Sequence, residues 1–135
     1  MNIDEKFIKT IKDFLIAKLS PSLIIIFGSV LSANFRKNSD LDIAFLAQRE
    51  VDPYKLFIIT QELASLLSRD VDLVDLSQLS TVFKTQIIGK GEVIYSENKE
   101  LINIFKLRTL KEYALLNEER AEIIERIEKE GKVYG

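Results

Sequence analysis

Asp40 and Asp42 flank a single leucine at the head of an apolar run, Asp40-Leu41-Asp42-Ile43-Ala44-Phe45-Leu46. In an extended chain, residues two apart point to one face, so the two carboxylates converge. Carboxylates that close repel each other and raise each other's pKa unless a cation sits between them. Hard oxygen donors suit Mg²⁺, which commonly bridges to substrate phosphates. Upstream stands Gly28-Ser29, separated from Asp40 by ten residues and preceded by the apolar Leu23-Ile24-Ile25-Ile26-Phe27. A glycine there lets the backbone approach a phosphate closely. Ser29 adds a hydroxyl donor and can open a short helix whose N-terminus favours an anion. Further on comes Asp70-Val71-Asp72-Leu73-Val74-Asp75. Asp70 and Asp72 share one face, and Asp75 takes the other. If this stretch lies beside the second strand, Asp72 completes a triad of carboxylates, with Asp70 as its rival. Such a triad can hold two metals, or one member can take a proton from an attacking hydroxyl.

Each of these residues also has a purely structural use. Gly28 can serve a tight turn, Ser29 a helix cap and Asp40 a turn after Asn38-Ser39. Asp42 is harder to read that way, because a carboxylate inside an apolar strand is costly without a partner. Arg36 and Lys37, in the connection after Gly28-Ser29, are either solvated loop charges or ligands of a triphosphate.

Composition narrows the chemistry. The 135 residues contain no Cys and no His. That excludes a thiol nucleophile, a Cys-based zinc site, the Ser-His-Asp triad and the commonest general base. Catalysis must then rest on carboxylates, hydroxyls, Lys, Arg, backbone amides and a hard cation. Nineteen basic and twenty-one acidic residues give a formal charge of −2. So even a balance argues against a nucleic-acid coat or a membrane-surface protein. The start, MNIDEKFIKTIKDF, has no apolar run behind a basic region, and the unbroken apolar stretch 23–27 is far short of a membrane span. The expectation is a cytoplasmic protein without a signal peptide.

The elements that must position the aspartates follow from periodicity. Phe7, Ile8, Ile11, Phe14, Leu15 and Leu19 give residues 4–19 a helical stripe that Ser20-Pro21 stops. Residues 23–27 read as a strand buried on both faces, and 41–46 as a second strand. The polar connection 30–39 has room for one helical turn. Asp52-Pro53 starts a helix to about Ser68, with Leu56, Ile59, Leu63, Leu66 and Leu67 as its stripe. Residues 71–76 form a third strand, and Ser77 is expected to cap a short helix to about Ile88. Gly89 and Gly91 turn the chain into a fourth strand at Val93-Ile94-Tyr95. From 98 to about 130 the pattern is one long helix or two joined ones, with Leu101, Phe105, Ala114, Ala121, Ile124 and Ile127 at roughly helical spacing. Its second half, 118–132, is heavily charged and reads as a solvated face, with Tyr134 in a disordered end. The order predicts an α/β (α+β) sandwich with a mixed sheet of about four strands and a helical tail, in one domain over 1–135.

Gly-Ser, ten residues, Asp-X-Asp is a joint spacing, in the setting of strand, loop and strand, that resembles the minimal nucleotidyltransferases (MNT). These are the smallest members of the superfamily with the DNA polymerase β-like catalytic fold. Gly28-Ser29 and Asp40-Leu41-Asp42 carry the match, and Val71-Asp72-Leu73 matches the family's third carboxylate. The likeness covers about residues 20–95. Many minimal relatives carry Arg or Lys just after Gly-Ser, where this chain has Val30 and Leu31.

The resemblance implies a nucleotidyltransferase fold and a Mg²⁺-dependent reaction. Asp40, Asp42 and Asp72 would be the metal-binding and catalytic residues. Gly28 and Ser29, with Arg36 and Lys37 nearby, would hold the triphosphate of ATP. A catalytic core that uses most of the chain leaves no second domain for a large substrate, which favours an acceptor supplied by another protein. Minimal members are often paired with a HEPN-domain toxin, an RNA-cleaving protein, in a hetero-oligomeric complex. The implied function is an antitoxin that transfers AMP from ATP to a toxin tyrosine, with no direct contact to nucleic acid or membrane. The alternatives are a non-catalytic module that neutralises its partner by covering it, and an enzyme that adenylylates a small molecule such as an aminoglycoside.

Overall fold

The computed structural model describes residues 4–28 and 40–134, with side chains described as far as Glu130. Helix α1 is Glu5–Leu19. Asp4 caps it by accepting from the Lys6 amide at 3.1 Å, and Ser20 closes it in the left-handed region at φ 46°. Strand β1 is Leu23–Phe27 and β2 is Leu41–Leu46. Helix α2 is Pro53–Leu67, begun by the Asp52 cap and by proline in the first turn, where no amide is needed. Strand β3 is Val71–Asp75, and a 3-10 turn follows at Leu76–Gln78. Helix α3 is Thr81–Lys90, β4 is Glu92–Ser96 and α4 is Lys99–Tyr134.

The four strands form one mixed sheet in the order β3-β2-β1-β4. β1 runs antiparallel to β2 and β4, while β2 and β3 are parallel. The parallel pair needs a crossover, and α2 provides it. Strand parity then divides the core. Ile24, Ile26, Leu41, Ile43 and Phe45 pack with Ile11 and Leu15 of α1 and with Ile59 and Leu63 of α2. Leu23, Ile25 and Ala44 face the other way, toward Leu76, Ile87 of α3 and Phe105 of α4. β1 and β2 thus lie between two helical layers, which is why β1 is apolar at every position.

Several sequence expectations change. Ser77 does not cap α3. Asp75 caps the 3-10 turn, accepting from the Ser77 amide at 3.0 Å and its hydroxyl at 2.7 Å, and Ser80 caps α3. The third strand ends one residue early, at Asp75, because Leu76 already belongs to that turn. Gly89 lies within α3, so Gly91 alone makes the turn. Leu66 is 54% exposed rather than part of the α2 core, since the side of α2 that meets the sheet is centred on Ile59 and Leu63.

The tail is a single helix that runs on to Tyr134, beyond the expected end. Its inward stripe is Ile102, Phe105, Thr109, Tyr113 and Leu116. Ala114, Ala121, Ile124 and Ile127, which also recur at helical spacing, are exposed. The reason is reach: α4 packs on α3 and β4 through its first half, and residues 117–130 are exposed throughout. No described helix is long and apolar enough to cross a membrane.

Candidate active site

The antiparallel register sets Phe27 opposite Asp42, and the parallel register sets Asp72 opposite Asp42. Partners directly across a ladder share a face, with Cβ atoms about 5 Å apart. That face is the α3 side, because Asp42 has the parity of Ala44. Asp40 lies one residue before β2. The three predicted carboxylates therefore lie near one another where β2 and β3 begin.

The electrostatics of Asp42 follow from this proximity. The Asp42 carboxyl is pushed above its ordinary value of 3.8, first by burial, then by the charges of Asp72 and Asp40. Asp70 is not among the groups acting on it. It stands at the mouth of β3, where its carbonyl accepts from the Leu41 amide at 2.9 Å. Register and charge together favour Asp72 over Asp70 as the partner of Asp42. Asp75 takes the opposite face, as its parity predicts, and its carboxylate is spent on Ser77.

Gly28 follows β1 with φ +76°, a conformation that side chains rarely adopt. A Cβ placed there would collide with an Asp42 carboxylate oxygen. The glycine thus does more than the sequence reading assigns to it: it leaves room for the central carboxylate. Ser29, Arg36 and Lys37 lie outside the described residues, as does the connection 30–39.

Sequence reasoning also missed two aromatic neighbours. Phe27 carries the parity of Ile25 and lies beside Asp42, a placement its position at the end of β1 could have revealed. Phe83 of α3 meets the Phe27 ring edge-to-face, with centroids 6.1 Å apart. No local pattern marks Phe83, since only the packing of α3 on the sheet brings it there.

The donor set fits a hard divalent cation. Among the described residues no three acidic groups already stand at cage spacing. Mg²⁺ does not require that, because it is usually held by one or two carboxylates together with phosphates and water. Mutual repulsion around Asp42 is the condition a cation relieves. A cleft of about 510 Å³ lies at the other end of β2, lined by Lys18, Arg49, Asp52 and Lys55 among others, and contains none of these carboxylates.

The raised pKa has a consequence for stability. The folded protein takes up a proton at Asp42 before the unfolded chain does, so this contribution is present in acid and lost as pH rises through the folded value. Asp42→Asn should therefore melt higher than the parent at pH 7 without added metal. The gain should vanish below the ordinary value of 3.8, where the parent carboxyl is protonated in both states. Melting curves at both pH values check this, and an equal gain at both would remove the electrostatic cause.

Known proteins resemble this chain in both sequence and fold. The sequence profile described as polymerase beta, nucleotidyltransferase matches residues 9–100. A protein adenylyltransferase of Shewanella oneidensis, MntA, is 38% identical over 122 residues, covering 90% of this chain and 85% of that protein. The fold superposes on a chain from the crystal structure of a toxin-antitoxin with AMP-PNP at a TM-score of 0.79 and 34% identity, over 89% of this chain and 97% of that one. A chain from the complex of the tri-AMPylated Shewanella oneidensis HEPN toxin with MNT antitoxin gives a TM-score of 0.77 and 31% identity, over 93% and 98%. A profile match over most of its length and a relative 38% identical across nearly the whole chain show that this chain belongs to the polymerase beta nucleotidyltransferase family.

Proposed function

We propose that this protein is an adenylyltransferase antitoxin that moves AMP from ATP onto a tyrosine hydroxyl of a HEPN ribonuclease toxin. The observation that carries the reading is the facing pair Asp42 and Asp72, with Asp40 close enough to act on Asp42. The names of the relatives support it, one a protein adenylyltransferase and another an MNT antitoxin in complex with an AMPylated HEPN toxin.

In this reading Asp40 and Asp42 would hold Mg²⁺, with Asp72 beside them. The ion supplies neutralisation of the charge on the triphosphate. Asp42, partly withdrawn from water, would be the anchor, and Gly28 leaves room for it and lets the chain's own backbone approach the triphosphate. Asp72 is exposed, so a hydroxyl presented by another protein can reach it. Its carboxylate accepts the proton of that hydroxyl as the oxygen attacks the α-phosphorus. The bond from the α-phosphorus to the bridging oxygen breaks, and pyrophosphate leaves. Positioning and charge supply the acceleration, so the lack of histidine is no obstacle. Ser29, Arg36 and Lys37 are assigned to the triphosphate on sequence grounds. On this reading the reaction takes place in the cytoplasm, where ATP is available.

The test is incubation with α-labelled ATP and Mg²⁺, with and without the partner that co-purifies from the native operon, read by intact mass. The expected result is a gain of one or more AMP units on the partner. A stable complex with no transfer would leave a binding module on a nucleotidyltransferase fold.

A further inference from the structure

Phe83 is a large aromatic residue of α3 that the fold leaves 38% exposed. It stands one turn before Ile87, which is buried at 2% exposure on the same side of α3. Its ring meets Phe27 at 6.1 Å with an interplanar angle of 86°. Phe27 is itself the cross-strand neighbour of Asp42. Phe83 therefore lies one aromatic ring beyond the anchoring carboxylate, on the face that the carboxylates occupy. Its contact with Phe27 fixes the ring while leaving part of it open to solvent.

Resting on the nucleotide reading above, we propose that Phe83, held by Phe27, is the platform on which the base of the nucleotide stacks. In a nucleoside triphosphate only the ribose separates the base from the α-phosphate. With the phosphates held near Asp40 and Asp42, a base that extends past Phe27 along the same face would meet the open side of Phe83. Aromatic stacking is sequence-tolerant, because every base has a π-face. The platform thus selects a nucleotide over bare polyphosphate, and leaves the choice between adenine and guanine to other groups.

Titration of the full chain with ATP and with inorganic tripolyphosphate, each with Mg²⁺, tests this by calorimetry. Phe83→Leu keeps an apolar side chain against Phe27 and removes the stacking surface. It should weaken ATP binding about ten-fold and leave tripolyphosphate binding unchanged. Phe83→Trp should restore ATP affinity. In AMP transfer, Phe83→Leu should raise KM for ATP with kcat preserved. Unchanged ATP affinity in Phe83→Leu overturns the platform, and so does an equal loss for both ligands, which marks a structural role. If the parent protein binds neither ligand, the nucleotide reading of the site fails with it. If the parent binds both and Phe83→Leu matches it, the platform alone fails.

Discussion

Asp42→Asn is expected to lower AMP transfer at least about a thousand-fold while the protein stays folded. The substitution keeps volume and shape in the strand and removes one negative charge. Asp42 is the carboxylate that burial and two neighbouring charges act upon, so it gains most from a bound cation and loses most without its own charge. On the proposed reading a neutral amide would hold a cation less well, leaving the charge on the departing pyrophosphate less compensated. Repulsion from Asp72 and Asp40 disappears in the same step, so the fold should not suffer. Initial rates with α-labelled ATP, alongside a melting curve, measure both effects. Transfer within ten-fold of the parent would move the active site away from these aspartates. The double variant Asp40→Ala with Asp42→Ala separates chemistry from binding in cells. Loss of protection against the toxin supports catalysis, whereas retained protection shows that covering the partner is enough.

Gly28→Ala should cost about 2–3 kcal/mol of stability, and AMP transfer should drop about a hundred-fold. Two penalties add. At φ +76° the backbone is in the left-handed region, where a Cβ is strained. The new methyl also meets the Asp42 carboxylate, so either the turn or the aspartate must move. Displacement of that anchor by about an ångström accounts for the loss in rate. Chemical denaturation gives the stability change, and transfer assays well below the melting temperature give the rate. A variant as stable and as active as the parent would mean that the turn relaxes freely and that Gly28 is not needed for close approach.

Much of this molecule is legible locally. An apolar β1 with no alternation announces a strand covered on both sides, and helices lie on both of its faces. Asp52 marks a helix start because a carboxylate accepts from the orphan amides of the first turn. Parity alone put Asp40 with Asp42, and Asp70 with Asp72, while excluding Asp75. The weak readings share one cause. Leu66, Ile124 and Ile127 fit a helical period, yet a period tells which residues share a side of a helix, not whether anything lies against that side. Ser77 reads as a cap from its sequence position, and the 3-10 turn at Leu76–Gln78 moves the start of α3 on to Ser80.

By itself, then, the sequence determined the kind of chemistry. Without cysteine or histidine, and with Gly-Ser and Asp-X-Asp at their joint spacing, it left carboxylates, phosphates and a hard cation. Those properties are carried by residue types and by short-range geometry, which a strand imposes on its own. Tertiary structure decided which carboxylates meet. The order β3-β2-β1-β4 and the parallel register set Asp72, not Asp70, across from Asp42. It also decided that Gly28 must lack a side chain for the sake of Asp42, and that Phe83 comes to stand beside Phe27. Strand order and helix packing are contacts between residues far apart in the chain. They follow from the burial of whole faces, and no local spacing encodes them.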